Sequence, residues 1–110
     1  MTDQEDAQNI MMEMQQVQGQ LQQVNAQKEQ TNQELQGIQK SLDELEKEDG
    51  GDVYKSVGNI LVAKDRDQLV DELEEKKEDL EVRQKSLDKK EERLQEKMEE
   101  TQQKFSGLQG

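Results

Sequence analysis

The sequence contains no cysteine, no histidine, no tryptophan and no proline in 110 residues, and only two aromatic residues, Tyr54 and Phe105. Each absence excludes something. Without cysteine there is no disulfide framework and no thiolate chemistry. Without histidine the usual nucleophile–base pairs and zinc sites are missing. Without proline nothing breaks a helix at the backbone level. No apolar run approaches the length of a membrane span or a signal-peptide core, so the expectation is a soluble, intracellular chain in the cytoplasm. Hydrophobic residues make up 28% of the sequence, too few for a globular core. Positive charge is also scarce: 15 basic residues stand against 27 acidic ones, a net charge of −12. Such a surface repels nucleic-acid phosphates and anionic membranes, so neither is expected as a partner.

What the chain does have is periodicity. From Ile10 to Leu45 the spacing alternates four and three through Ile10, Met14, Val17, Leu21, Val24, Lys28, Thr31, Leu35, Ile38, Leu42 and Leu45. Only Lys28 and Thr31 in this series are not apolar. A second run carries Leu73, Leu80, Leu87, Leu94, Thr101 and Leu108, one per heptad. Apolar residues repeating every 3.5 positions mark a left-handed coiled coil, which needs only a narrow stripe. The second stripe tightens near its end to Leu94, Met98, Thr101, Phe105 and Leu108. In its centre the residue three after each leucine is basic: Lys76, Arg83, Lys90 and Lys97. Their aliphatic stems are expected to cover the seam while the charges reach water, leaving a weaker centre.

Between the runs, Val53 to Val62 reads as a β-hairpin. Val53, Lys55 and Val57 alternate with Tyr54 and Ser56, Gly58-Asn59 makes a two-residue turn, and Ile60-Leu61-Val62 returns. Asp49-Gly50-Gly51 stops the first helix, and Asp65 offers an N-cap with Gln68 three residues later. The sequence therefore predicts a mainly α chain: one domain over residues 1–110, with helix one at about 7–47, a hairpin at 53–63 and helix two at about 66–106. Residues before about 7 are expected to fray, and Ser106-Gly107 to weaken the end of helix two. The hairpin turns the chain back, so the helices form an antiparallel coiled coil in which Leu42 lies near Leu73 and Leu35 near Leu80.

Catalysis finds no support. The carboxylates fall on solvent-facing helix positions, and no pocket is expected to shift their pKa. Glu46 to Asp52 lacks the ligand spacing of a calcium loop, and Gly58-Asn59 opens no helix that could cradle a phosphate. The expectation is a non-enzyme without metal or cofactor. Two surfaces remain. Two strands alone are marginal in water, so the hairpin calls for partners. Val53, Tyr54, Val57, Gly58, Ile60, Leu61 and Val62 are its candidate oligomerisation residues; the alternative is a loop folded over its own helices. At the other ends of the helices, Ile10, Met11, Met12 and Met14 stand across from Met98, Phe105 and Leu108. Methionine suits loose, plural binding, and Met11 and Met12 fall off the seam, so these seven residues are the candidate set for binding many partners loosely. An ordinary helix end is the competing reading.

The sequence resembles the archaeal-type prefoldin β subunits. The resemblance rests on Val53-Tyr54-Lys55-Ser56-Val57-Gly58 with Ile60-Leu61-Val62, and on Leu73-Glu74-Glu75-Lys76 through Leu80-Glu81-Val82-Arg83. A single hairpin points to β rather than α. The chain departs from many members in its N-terminus, Thr2-Asp3-Gln4-Glu5-Asp6, which lacks proline. The resemblance implies a hexamer of two prefoldin α and four β subunits. Its hairpins would assemble into a β-barrel platform from which six coiled coils hang. It also implies an ATP-independent chaperone that captures unfolded polypeptides at the coiled-coil tips and delivers them to a group II chaperonin. A coiled-coil adaptor for one folded partner is the alternative function, though an adaptor has no need of the hairpin.

Overall fold

A computed structural model describes residues 3–109. Helix α1 spans Asp3–Glu46, strands β1 and β2 span Asp52–Val57 and Ile60–Asp65, and helix α2 spans Arg66–Gln109. The antiparallel two-helix coiled coil with one hairpin is the architecture the heptads imply. The helices run further than expected at both termini. Asp3 to Asp6 is helical rather than frayed, and the negative charges of Glu5 and Asp6 suit the positive end of the helix dipole. Ser106 and Gly107 stay within α2. Met1, Thr2 and Gly110 lie outside the described residues.

α1 ends in a tightened turn. The Lys47 and Glu48 amides donate to the Glu44 and Leu45 carbonyls, using acceptors that a helix end leaves open. Gly50 and Gly51 then take φ of 104° and 90°, a region closed to most side chains, and the chain leaves the helix axis. β1 pairs with β2 from Asp52↔Asp65 to Val57↔Ile60. Gly58 has φ of 59° while Asn59 stays at negative φ, the pattern of a type II′ hairpin turn with glycine first. Asp65 caps α2 as expected: its Oδ2 accepts from the Gln68 amide at 3.3 Å.

The chain divides into two compact units, one of residues 31–83 and one of the segments on either side of it. In the hairpin unit (31–83), Ile38, Leu42 and Leu80 form the buried cluster, with Leu35, Val70 and Leu73 packed against it. The neighbours expected from sequence, Leu35 with Leu80 and Leu42 with Leu73, share this one cluster. In the end unit (up to 30, and from 84 on), Val17, Val24 and Thr101 are each 1% exposed. Thr101 tolerates such burial because its hydroxyl donates to the Lys97 carbonyl at 2.7 Å.

The second helix corrects one expectation. Lys76, Arg83, Lys90 and Lys97 are exposed and do not cover the seam. The half-buried residues are those four, not three, after each leucine: Lys77, Gln84, Glu91 and Met98. The reason is geometric. The four-three alternation of Leu94, Met98, Thr101, Phe105 and Leu108 extends back through the whole helix as Leu73, Lys77, Leu80, Gln84, Leu87 and Glu91. The centre is indeed only half apolar, but the polar residues occupy the seam itself. Within the end unit, Lys28 of α1 meets this stripe. Its Nζ lies 2.9 Å from Asp88 and 3.3 Å from both oxygens of Glu91.

Candidate interaction surfaces

The hairpin has two faces of different character. On one, Val53, Lys55 and Val57 stand beside Lys64, Val62 and Ile60. The base of this face is anchored: Val53 and Val62 are half-buried, and Lys64 and Lys55 reach Glu72 of α2 at 2.8 and 3.9 Å. The Lys64 hydrogen bond, with the charges of Lys64 and Lys55, holds the Glu72 carboxyl below the usual glutamate value. Arg66 completes the anchorage. Its amide donates to the Gly51 carbonyl and its Nε to the Leu45 carbonyl, both at 2.9 Å, tying the start of α2 to the end of α1. Nothing in the heptad pattern singled out Arg66, Lys64 or Glu72. A basic residue directly after an N-cap and near a helix end short of carbonyl partners is the signal that was available.

The other face carries Tyr54, Ser56, Leu61 and Ala63, all exposed. Tyr54 is 68% and Leu61 70% exposed, and Val57 and Ile60 at the turn are exposed as well. Of the seven candidate oligomerisation residues, then, the structure leaves Tyr54, Val57, Gly58, Ile60 and Leu61 open and half-covers Val53 and Val62. The turn does not fold down over its own helices. Beside β1 lies an open groove of about 620 Å³, floored by Leu45, Leu69 and Leu73 and bordered by Gly37 and Ser41. Alanine at Gly37 would meet nothing within 4 Å.

The end unit holds the second surface. Ile10, Met14, Met98, Phe105 and Leu108 are half-buried, as seam residues should be. Met11 and Met12 project outward, 49% and 67% exposed. Among the described residues of this unit they are the only large apolar side chains that are exposed. The candidate client set therefore separates into five seam residues and two surface methionines.

Among the described residues no cluster of acids could hold a metal ion, and no helix is long and apolar enough to cross a membrane. Among the described residues, the exposed large apolar side chains gather at the hairpin and at Met11 and Met12, with Val82 standing alone besides. Comparison with curated proteins returned no match. A family model described as prefoldin subunit matches residues 8–110. Among solved structures, the chain is similar to the prefoldin beta subunit from Thermococcus strain KS-1, with 38% sequence identity and a TM-score of 0.84, over 96% of this chain and 94% of that one. With a family match over nearly its whole length and this likeness in sequence and fold, the chain belongs to the prefoldin subunits and is of the β type.

Proposed function

We propose that this chain is the β subunit of an ATP-independent chaperone that holds unfolded polypeptides in the cytoplasm and passes them to a group II chaperonin. It works in a hexamer of two α and four β subunits. The hairpins join into a common β-barrel, with Tyr54, Val57, Ile60 and Leu61 covered by neighbouring subunits. Val53, Val62 and Gly58 hold the shape that makes this possible. Clients bind at the helix ends, on Met11 and Met12 with Ile10, Met14, Met98, Phe105 and Leu108 around them. The observation that carries this reading is the pairing of an open, apolar hairpin with a separate pair of outward methionines. One surface serves assembly and the other remains for clients.

Weak contacts suffice in such an assembly. Burying one methionine side chain contributes roughly 1.5–3 kcal/mol before ordering costs. Several arms acting on one client convert such contacts into avidity. Flexible thioether side chains impose no sequence code, so release to a tighter binder needs no nucleotide. The test is dilution of a chemically unfolded protein into the assembled hexamer. Removal of residues 1–12 and 104–110 is expected to abolish suppression of aggregation while the hexamer persists. Full suppression by the truncated hexamer would put client binding elsewhere on the chain.

A further inference from the structure

We propose that Met11 and Met12 form an oxidation-sensitive switch, in which a peroxide converts both thioethers to sulfoxides and reversibly removes the client-holding surface. The proposal rests on the client-binding reading above and extends it to regulation. Three observations lead to it. First, the two exposed large apolar side chains of the end unit are both methionine, the one apolar side chain with a reversible oxidation. Second, the chain has no cysteine and no tryptophan, so no thiol or indole competes for the oxidant. Third, the seam behind the pair is closed by Val17 and Thr101, while Met14 and Met98 sit half-buried in it. Oxidation at Met11 and Met12 therefore changes the surface and spares the packing, unlike a sulfoxide placed in a core.

The chemistry balances with the peroxide as oxidant. A sulfur lone pair attacks one peroxide oxygen, the O–O bond breaks and an S–O bond forms. Hydroxide leaves and takes the proton from the new S–OH, giving sulfoxide and water. Sulfur loses two electrons and the peroxide gains them. A dithiol acting through a methionine sulfoxide reductase reverses the step, releasing water and a disulfide of the reductant. The neighbouring exposed residues, Gln8, Asn9, Gln15 and Gln16, are already polar. Once both sulfoxides are present, no exposed large apolar side chain remains among the described residues of this unit.

The experiment uses the full chain in its assembled oligomer, with guanidinium-unfolded citrate synthase as the client probe. Dilute hydrogen peroxide is added, and oxygen uptake at each methionine is followed by peptide mass spectrometry. Met11 and Met12 are expected to oxidise several-fold ahead of Met14 and Met98. Suppression of aggregation is expected to fall with their oxidation and to return after treatment with sulfoxide reductase and dithiothreitol. Helical circular dichroism and oligomer size should stay unchanged. The pair Met11→Leu with Met12→Leu should hold client before and after peroxide, and the pair Met11→Gln with Met12→Gln should hold it poorly throughout. Equal oxidation of Met11, Met12, Met14 and Met98, or loss of helix on oxidation, overturns the switch. If the glutamine pair fails to hold client but the oxidised wild type still holds it, the switch fails and the client surface stands. If the glutamine pair holds client like the wild type, the client reading of these two residues fails.

Discussion

Lys28 offers the sharpest test of how the coiled coil balances charge against packing. It sits at a seam position where the flanking seam residue Val24 is 1% exposed, yet it carries a full charge. Its ammonium is held by Asp88 and by Glu91, itself a seam residue, and the side chains of Lys28 and Glu91 keep only 29% and 22% of their accessible surface. The hydrogen bond to Asp88 chiefly, with that to Glu91 and the charges of both, raises the Lys28 pKa above its ordinary 10.5 although burial opposes it. A raised amine pKa contributes stability that is complete below the unfolded value and is lost as pH rises through the folded one. The pair is therefore intact at neutral pH. Lys28→Ala leaves Glu91 half-buried and unpartnered, at a cost of about 1–2 kcal/mol, near the lower end for an unsatisfied buried group because the site is partly wet. Lys90→Ala, on the exposed face, should cost less than about 0.5 kcal/mol.

The double change Lys28→Leu with Glu91→Leu separates the cost of breaking the pair from the worth of the pair. Two leucines at adjoining seam positions bury apolar surface where two ions were desolvated, and such replacements are often neutral or stabilising by about 1–4 kcal/mol. Partial exposure lowers the expected gain to about 1–2 kcal/mol, several degrees in melting temperature for a chain of this size. Thermal melts followed by circular dichroism, at one fixed subunit concentration because association shifts the midpoint, give both numbers. The four melts form a double-mutant cycle whose coupling term isolates the pair. The reasoning is refuted if Lys28→Ala costs no more than Lys90→Ala. A double leucine variant that melts well below the wild type would refute it equally.

Three further outcomes follow from the same structure. Leu80→Ala empties part of the Ile38–Leu42–Leu80 cluster and should cost about 2–4 kcal/mol, while Lys76→Ala should stay within about 0.5 kcal/mol; equal shifts in denaturant midpoint would contradict the seam assignment. Val57→Lys with Leu61→Lys, both at exposed hairpin positions, should leave helical circular dichroism in place but reduce the sedimenting species to smaller forms. Glu72 should titrate below the ordinary glutamate value of 4.5 because Lys64 donates to it, with its pairing complete above that value and lost as pH falls through the lowered one. Carboxyl-detected NMR should show this, and Lys64→Ala should bring the midpoint back towards the ordinary value.

Much of this fold is legible because heptad spacing and turn chemistry are local. Ile10 to Leu45 alternates four and three without a break, and Gly58-Asn59 between alternating strands has one low-cost conformation. The second seam was harder, for a physical reason. One leucine per heptad fixes a helix face but not which neighbour completes it, since positions three and four later both border the stripe. Lysines and arginines three residues on looked suited to snorkelling, and only the tight run at Met98, Thr101 and Phe105 carried the information that four was correct. Lys77, Gln84 and Glu91 are not legible as seam residues because polar side chains do not announce a seam. The link from Arg66 to the Leu45 carbonyl is made across the turn at Gly50 and Gly51, while Lys64 meets Glu72 where β2 runs into α2. A basic residue after the N-cap hints at the first, and neither heptad spacing nor strand alternation encodes the second.

The polar seam has a consequence for the exposed surfaces. A coiled coil with leucine at every seam position is more stable, but it specifies alignment poorly, because a shift by one heptad costs little when all layers are alike. Lys28 facing Glu91 and Asp88 reduces that degeneracy in the end unit: a one-heptad slip would put Gln95 and Met98, or Glu81 and Gln84, where Asp88 and Glu91 stand, so that the ammonium loses one or both of its carboxylates. The slip would also change which residues of α2 stand opposite Met11 and Met12. The same charge that lowers stability therefore fixes the composition of the methionine end. A net charge of −12 acts alongside it: like-charged copies repel, which opposes random association through exposed Tyr54, Leu61 and Met12. Because that repulsion is screened over about 8 Å at physiological ionic strength, it governs approach and solubility. Contact is left to the apolar side chains.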